Sequence, residues 1–205
     1  MLERDVEVSH WGGNIAFEER YDLYHRGANL STLFSRVKWA QSQYLNPATF
    51  AIKELKFQLR GDSVDPYYTD AIGNVTTSKF RSDKRQAVLE IKPRYPVFGG
   101  WKYPFTIGWN SDAKNYLRKT ASGGYVLNVP FLEGPKQAEG VEYGQVLLRI
   151  ILPEGAECAD TLYTLLFCNA LLTFYATEMS SSTPTYPEPP SVTPQSSFTR
   201  PSSIQ

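Results

Sequence analysis

The 205-residue chain has few of the residue types that build covalent frameworks and metal sites. It contains two cysteines, Cys158 and Cys168, and two histidines, His10 and His25. Two cysteines cannot form a disulfide framework, and the first 157 residues contain none. Two histidines are too few for a histidine-based metal site without help from carboxylates. We therefore expect neither a metal site nor a cofactor.

The chain also lacks an excess of charge of either sign. Its 21 Lys and Arg residues balance its 21 Asp and Glu residues. A protein that binds nucleic acid by neutralising phosphates carries a surplus of basic residues, so no nucleic-acid partner is expected.

Recognisable targeting and catalytic motifs are missing as well. The N-terminal residues have no apolar run behind a basic start, so they do not predict a signal peptide. Taken alone, that observation predicts a cytosolic protein. We find no phosphate loop, zinc spacing, nucleophile elbow or dinucleotide fingerprint, and the sequence predicts no catalytic residues.

Aromatic residues, in contrast, are abundant: 11 Phe, 13 Tyr and 4 Trp. Apolar residues alternate with polar ones in several windows, which is typical of half-buried strands. The clearest windows are Ile15–Leu23, Leu55–Leu59, Ala87–Ile91, Trp101–Trp109 and Tyr125–Phe131. Glycine-containing turns separate them, and about seven or eight short strands predict a mainly β fold, an antiparallel β-sandwich.

Three details of this pattern make sharper predictions. Pro104 lacks a backbone donor, so its strand is expected at an edge or with a local bulge. The run Val146–Leu152 is apolar on both faces except at Arg149, as in a central strand. Helical spacing is strong only for Leu33, Val37, Ala40 and Tyr44, after a cap at Ser31.

The composition changes near residue 157 and divides the chain into three segments. Residues 1–157 form the β-sandwich segment. Residues 158–178 form an apolar segment, for which a marginal membrane span, a buried helix and an unfolded stretch all remain open. Residues 179–205 are rich in Ser, Thr and Pro and are expected to be disordered.

Acidic and aromatic residues provide the candidates for chemistry. Glu3, Asp5 and Glu7 would lie along one face of a strand, which favours a solvated surface over a catalytic pair, and Glu18 and Glu19 form a second acidic cluster. His10 could act as a general base, but a packed or hydrogen-bonded histidine is favoured. The aromatic candidates for stacking on sugars are Trp11, Trp101, Trp109 and the pair Tyr67-Tyr68. Since Trp101 and Trp109 share the face expected to be buried, the core is the favoured place for them.

Two tripeptides match the acceptor pattern for N-glycosylation: Asn29-Leu30-Ser31 and Asn74-Val75-Thr76. Asn74 follows Gly73 in an expected turn, where a transferase could reach it if the chain enters a secretory lumen.

Several strings, in this order, resemble the ribophorin I family, subunit 1 of the dolichyl-diphosphooligosaccharide–protein glycosyltransferase complex. The strings are VEVSHWGGNIAFEE (6–19), HRGA with FSR (25–36), YYTDAIGNVTTS (67–78), IKPRYPVFGGWK (91–102), IGWN (107–110) and IILPEGAE (150–157). The resemblance covers the membrane-proximal part of the family's lumenal region. We found no match to the family from Cys158 onward.

The resemblance implies a lumenal, mainly β domain of the endoplasmic reticulum with a non-catalytic role in assembly and acceptor presentation. It implies as partners the other subunits of the complex, including the catalytic membrane subunit, and nascent acceptor polypeptides. The family's glycosylated asparagine would correspond to Asn74, whereas Asn29 has no such support. The alternative from the residues alone is a free-standing β-sandwich that binds glycans or peptides.

Overall fold

A computed structural model describes residues 1–9, 11–45, 50–121, 123–136, 140–164 and 169–176. Strands predominate and helix is scarce, which confirms the mainly β fold. The strands are β1 (Leu2–Ser9), β2 (Asn14–Tyr24), β3 (Leu55–Arg60), β4 (Val64–Asp70), β5 (Gly73–Asn74), β6 (Lys79–Ser82), β7 (Gln86–Ile91), β8 (Lys102–Asp112), β9 (Leu117–Lys119), β10 (Tyr125–Pro130), β11 (Val146–Ile151), β12 (Ala156–Thr164) and β13 (Asn169–Ala176). The helix α1 spans Arg36–Leu45, and a short 3-10 helix spans Ala113–Asn115.

The largest sheet has six strands in the order β11-β1-β2-β8-β4-β5. Its inner face is formed by the alternating apolar residues of β2 and β8, because successive side chains of a strand point to opposite faces. Phe17 stacks on Trp109 with ring centroids 5.3 Å apart, and Tyr21 stacks on Phe105 at 4.8 Å. These pairs form the centre of the core.

Two smaller sheets complete the fold around this core. The three-stranded sheet β3-β7-β6 contributes Phe57, whose ring lies 5.6 Å from that of Tyr21. The four-stranded sheet β12-β13-β10-β9 contributes Leu127 and Val129, which are fully buried. Apolar faces of separate sheets thus meet in one core, as in a sandwich.

Two strand predictions were wrong in detail. The strand that contains Pro104 is internal, because β8 pairs with both β2 and β4. The pairing with β4 ends at Phe105, so the missing donor of Pro104 falls where β8 has one neighbour. Conversely, β11 pairs with β1 in parallel and forms the end of its sheet, not the centre.

The predicted helix exists, but it begins later and faces a different way. Ser35, not Ser31, lies before its first turn, and the backbone N–H of Lys38 donates to Ser35 Oγ at 3.5 Å. The residues expected to face the core are exposed: Leu33 to 96% and Val37 to 66%. Trp39 anchors the helix instead, with its ring 5.4 Å from that of Phe98.

The apolar segment after residue 157 contributes two antiparallel strands, β12 and β13, and β12 runs across the composition change. Within the described residues, none of the helices is long and apolar enough to cross a membrane. Residues 177–205, which include the tail predicted to be disordered, lie outside the described residues.

Candidate functional site

Asn74 lies on a tight hairpin formed by β4 and β5. The Asp70 carboxylate closes the turn by accepting from the backbone N–H groups of Ile72 at 2.9 Å and Gly73 at 3.1 Å. Gly73 has a φ of +138°, a conformation that favours glycine. Asn74 then pairs with Thr69 across the hairpin.

Arg94, which lies beyond the hairpin in the sequence, forms hydrogen bonds to it. Its Nε donates to Asp70 Oδ2 at 2.8 Å, and its Nη2 donates to Asp70 Oδ1 at 3.2 Å and to the Asn74 carbonyl at 3.3 Å. The hydroxyl of Tyr103, on β8, donates to Asp70 Oδ2 at 3.3 Å. Hydrogen bonds from Arg94 and from the Ile72 and Gly73 backbone lower the pKa of Asp70 to about 2, against the opposing effect of burial.

The acceptor tripeptide begins at the end of β5, and its residues alternate between exposed and buried. Val75 is 5% exposed and its N–H donates to the Tyr68 carbonyl at 3.0 Å, whereas Asn74 and Thr76 are exposed. The two residues that define the acceptor pattern, Asn74 and Thr76, are therefore both exposed.

Asn29, the second candidate, has a different environment. It forms an isolated parallel bridge with Gly99, and a methyl group on Gly100 would lie 2.3 Å from its side-chain oxygen. The Asn29 amide group therefore lies against the backbone of a glycine turn, although the residue as a whole is exposed.

The predicted acidic face of β1 carries matching arginines. Glu3 and Asp5 share one side of the strand, as expected. Arg149 on β11 donates to Asp5 from Nε at 2.6 Å, and Arg20 on β2 approaches the same carboxylate at 3.2 Å. Arg20 also pairs with Glu18. The carboxylates of this face are held in an ion-pair network across three strands.

Glu19 lies in the core, and sequence reasoning missed this. Arg4 and Glu19 are both fully buried, and the Arg4 guanidinium donates to Glu19 Oε1 and, at 2.8 Å, to Glu133. Tyr21 donates to Glu19 Oε2 at 2.6 Å. Burial raises the pKa of Glu19, and the charge of Arg4 opposes that rise. The alternation of β2 could have revealed this, because Glu19 lies on the same side of the strand as the buried Phe17 and Tyr21.

The Arg4 guanidinium also lies over two aromatic rings. Its central carbon is 5.1 Å from the centroid of Phe17 and 5.7 Å from that of Trp109. Such cation–π contacts offset part of the cost of burying the charge.

The candidate aromatic residues are distributed between core and surface. Trp109 and Tyr68 are 2% and 1% exposed, which confirms the core assignment of Trp109. Tyr67 is 41% exposed; its ring covers Gly108, and its hydroxyl donates to Glu18 at 2.5 Å. Trp11 is 82% exposed.

Trp101 packs in a group of rings around Phe98, with its centroid 5.4 Å from that of Phe98 and 5.6 Å from that of Phe34. His10 lies outside the described residues. Among the residues whose positions are described, no group of three or more His, Cys, Asp or Glu side chains could hold a metal ion.

Comparison with known proteins gives a family and several relatives. The family model described as Ribophorin I matches residues 1–179, past the end of the resemblance seen in the strings. A subunit 1B of dolichyl-diphosphooligosaccharide–protein glycosyltransferase from Oryza sativa subsp. japonica is 35% identical over 84% of this chain and 36% of its own length. Subunit 1 from Schizosaccharomyces pombe is 32% identical over 74% of this chain and 33% of its own. Subunit 1 from Caenorhabditis elegans is 42% identical over 57% and 20%.

Solved structures add nothing to this assignment. An M1 zinc metallopeptidase from Deinococcus radiodurans covers 84% of this chain and 37% of its own, with a TM-score of 0.42 and 9% identity. A likeness at that level carries no argument about function. The chain spans about a third or less of the length of the curated relatives named above. The family match over most of its residues shows that the chain belongs to the ribophorin I family.

Proposed function

We propose that this chain acts as a non-catalytic part of the oligosaccharyltransferase complex, which transfers a dolichol-linked oligosaccharide to asparagine in nascent proteins. The family match over residues 1–179 is the observation that carries the proposal. The relatives are named as subunit 1 of the glycosyltransferase. The role is assembly of the complex and presentation of acceptor polypeptides.

The geometry of the sheet face supports a scaffolding role. General acid–base chemistry on a sugar requires two carboxylates facing a cleft with separated pKa values. On this face, Asp5 is held by Arg20 and Arg149 of the neighbouring strands, and Glu18 pairs with Arg20 of its own strand. Glu19 is buried. These side chains join strands β1, β2 and β11.

The proposed location is the lumenal side of the endoplasmic reticulum membrane, with the catalytic membrane subunit and nascent chains as partners. Asn74 is the proposed glycosylation site, since Asn74 and Thr76 are both exposed residues. Asn29 is the weaker site, because its side chain lies against Gly100.

Purification of the native protein from microsomes tests the complex. An antibody to residues 1–157 is used in mild detergent, and the companions are identified by mass spectrometry. We expect the subunits of the oligosaccharyltransferase to be recovered together with this chain. Recovery of the chain alone, from the soluble fraction, would contradict the proposal and favour a free-standing binding module.

Peptide mapping of the same material tests the acceptor. Enzymatic removal of N-glycans converts a modified asparagine to aspartate, and we expect this conversion at Asn74. The variant Thr76→Ala removes the acceptor pattern while leaving Asn74 in place, and it should abolish the conversion. Unmodified Asn74 in the native protein would refute this site.

A further inference from the structure

The surface around α1 has features that neither the core nor the hairpin explains. We define the α1 face as Leu33, Phe34, Arg36, Val37, Lys38, Trp39, Phe50 and Lys53. Leu33, Val37 and Phe50 are 96%, 66% and 53% exposed. Large apolar side chains therefore project into solvent from the helix and from both of its flanks.

Aromatic residues before, within and after α1 pack on one buried ring. The rings of Phe34, Trp39 and Phe50 lie 5.7, 5.4 and 5.9 Å from that of the buried Phe98. Because all three contact one ring, the segments before and after α1 are held beside the helix on one part of the surface.

Basic residues predominate in the segment that carries the α1 face. Residues 23–53 contain no Asp or Glu and four basic residues, Arg26, Arg36, Lys38 and Lys53, in a chain whose net charge is zero. Arg26 pairs with Glu142 at 2.8 Å. Arg36 and Lys38 are exposed on α1, and the Lys53 ammonium lies 5.2 Å from the Trp39 ring.

A cleft at the edge of the α1 face combines the same two features. It has a volume of about 400 Å³ and is lined by the rings of Phe34, Tyr95 and Trp101 and by the cations Arg36 and Lys102. Aromatic walls with two cations suit an anionic headgroup attached to an apolar body.

We propose that the α1 face docks on the surface of a lipid bilayer that carries anionic headgroups. Leu33, Val37 and Phe50 enter the headgroup region, and Arg36 and Lys38 contact phosphates. The mixture favours lipid over protein, because the centres of protein interfaces are depleted in charged residues, whereas Lys38 here adjoins Val37. Exposed apolar side chains can enter the interface of a bilayer, and nearby Lys and Arg residues are attracted to its anionic headgroups.

Vesicle flotation of the full chain tests this docking. The probes are phosphatidylcholine vesicles with and without phosphatidylserine. We expect binding to the anionic vesicles that falls as salt is raised, because salt screens the exposed charges. Each basic residue near a membrane contributes about fivefold in affinity, so Arg36→Gln with Lys38→Gln should weaken binding roughly 25-fold.

Matched variants separate the α1 face from general effects. Leu33→Ser with Val37→Ser should remove binding even to anionic vesicles, while both side chains are too exposed for the change to unfold the protein. The controls are Arg81→Gln with Lys84→Gln, two exposed cations elsewhere, and Ile72→Ser, which is 75% exposed. Thermal melting by circular dichroism checks that every variant remains folded.

Either of two results would overturn the proposal. One is that the folded wild-type chain does not float with anionic vesicles. The other is that the α1-face variants float as well as the wild type and the control variants. Loss of companion proteins from the Leu33 and Val37 variant in the microsome purification, together with the first result, would assign the face to a protein partner. The companion proteins of the wild type, which test the complex, are measured separately from flotation.

Discussion

The buried arginine of β1 is the residue on which stability depends most directly. Arg4 is fully enclosed and neutralises Glu19, which is also fully enclosed, and it reaches Glu133 in the loop that follows β10. Removing one partner of a buried ion pair leaves an uncompensated charge in a medium of low dielectric constant, which costs far more than losing a surface pair.

We predict that Arg4→Met lowers the free energy of unfolding by about 3–5 kcal/mol, because Glu19 then remains buried without its cation. The double variant Arg4→Met with Glu19→Gln should lose less than the sum of the two single variants. Urea unfolding of the full chain gives all three values. The matched control is Arg20→Met, a 44% exposed ion-paired arginine expected to cost about 1 kcal/mol or less. Additive single effects would show that Arg4 and Glu19 are not coupled.

A second prediction concerns Asp70, whose pKa is held at about 2 by Arg94 and two backbone N–H groups. The folded pKa lies below the unfolded value, so the stabilisation is present above pH 4 and is lost as the pH falls towards 2. Asp70→Asn should lower stability at neutral pH by about 1–2 kcal/mol and flatten its decline between pH 4 and pH 2.

Unfolding midpoints in urea between pH 6 and pH 2 provide the measurement for this prediction. Asp83→Asn is the control, since Asp83 is an exposed carboxylate in another turn. An identical acid profile for Asp70→Asn and the wild type would show that Arg94 does not hold the hairpin.

At the scale of elements, Gly99 shows why one connection requires glycine. A β-carbon at this position would lie 2.2 Å from the carbonyl oxygens of both Gly27 and Ala28. Backbone atoms cannot swing aside as a side-chain terminus can, so the crossing of the two segments would have to open.

We predict that Gly99→Ala lowers the unfolding free energy by about 2–3 kcal/mol, the usual cost of overpacking. Gly12→Ala is the matched control, because no atom of the described residues lies within 4 Å of its added carbon. Its expected effect is within about 0.5 kcal/mol. Thermal melting of both variants makes the comparison. Equal melting temperatures would mean that the crossing adjusts at no cost.

Local patterns predicted the elements well and their arrangement only in part. Period-two alternation located β2, β3, β7, β8 and β10, because the side chains of a half-buried strand alternate between core and solvent. Helical spacing located α1 but not its packed side, since Trp39 contacts Phe98 while Val37 is exposed. A run that is apolar on both faces indicates a central strand, but β11 lies at the end of its sheet.

The local features of the candidate site could be predicted from the sequence, whereas its long-range contacts could not. The acceptor pattern and the turn at Asn74 are local and could be predicted. The clamp from Arg94 could not, because it joins residues 24 positions apart through their folded geometry. The buried partner of Glu19 was hidden for the same reason, 15 residues away on another strand.

For the whole molecule, β11 leaves an apolar edge. Leu147 and Ile151 are 41% and 48% exposed, and within the described residues β11 pairs with β1 alone. Open edges of this kind favour association between chains. The isolated chain is therefore expected to have poor solubility and to self-associate.

We predict that Leu147→Lys with Ile151→Lys shifts the isolated chain towards the monomer, because edge lysines oppose pairing between strands. Light scattering after size-exclusion chromatography, over a range of concentrations, measures the change. Ile72→Lys, in a turn and 75% exposed, is the control for added charge alone. A wild-type chain that is already monomeric would contradict the prediction.

The hydrogen bonds from Arg94 to the Asn74 hairpin can form only after Arg94 has been synthesised. Arg94 follows Asn74 by 20 residues, and Arg149 follows its partner Asp5 by 144 residues. At a synthesis rate of about 5–20 residues per second, Arg94 is added about 1–4 s after Asn74. During that interval the acceptor tripeptide lacks the hydrogen bonds from Arg94 that hold the hairpin. If Asn74 is modified as proposed, the growing chain is therefore expected to be a better acceptor than the folded chain.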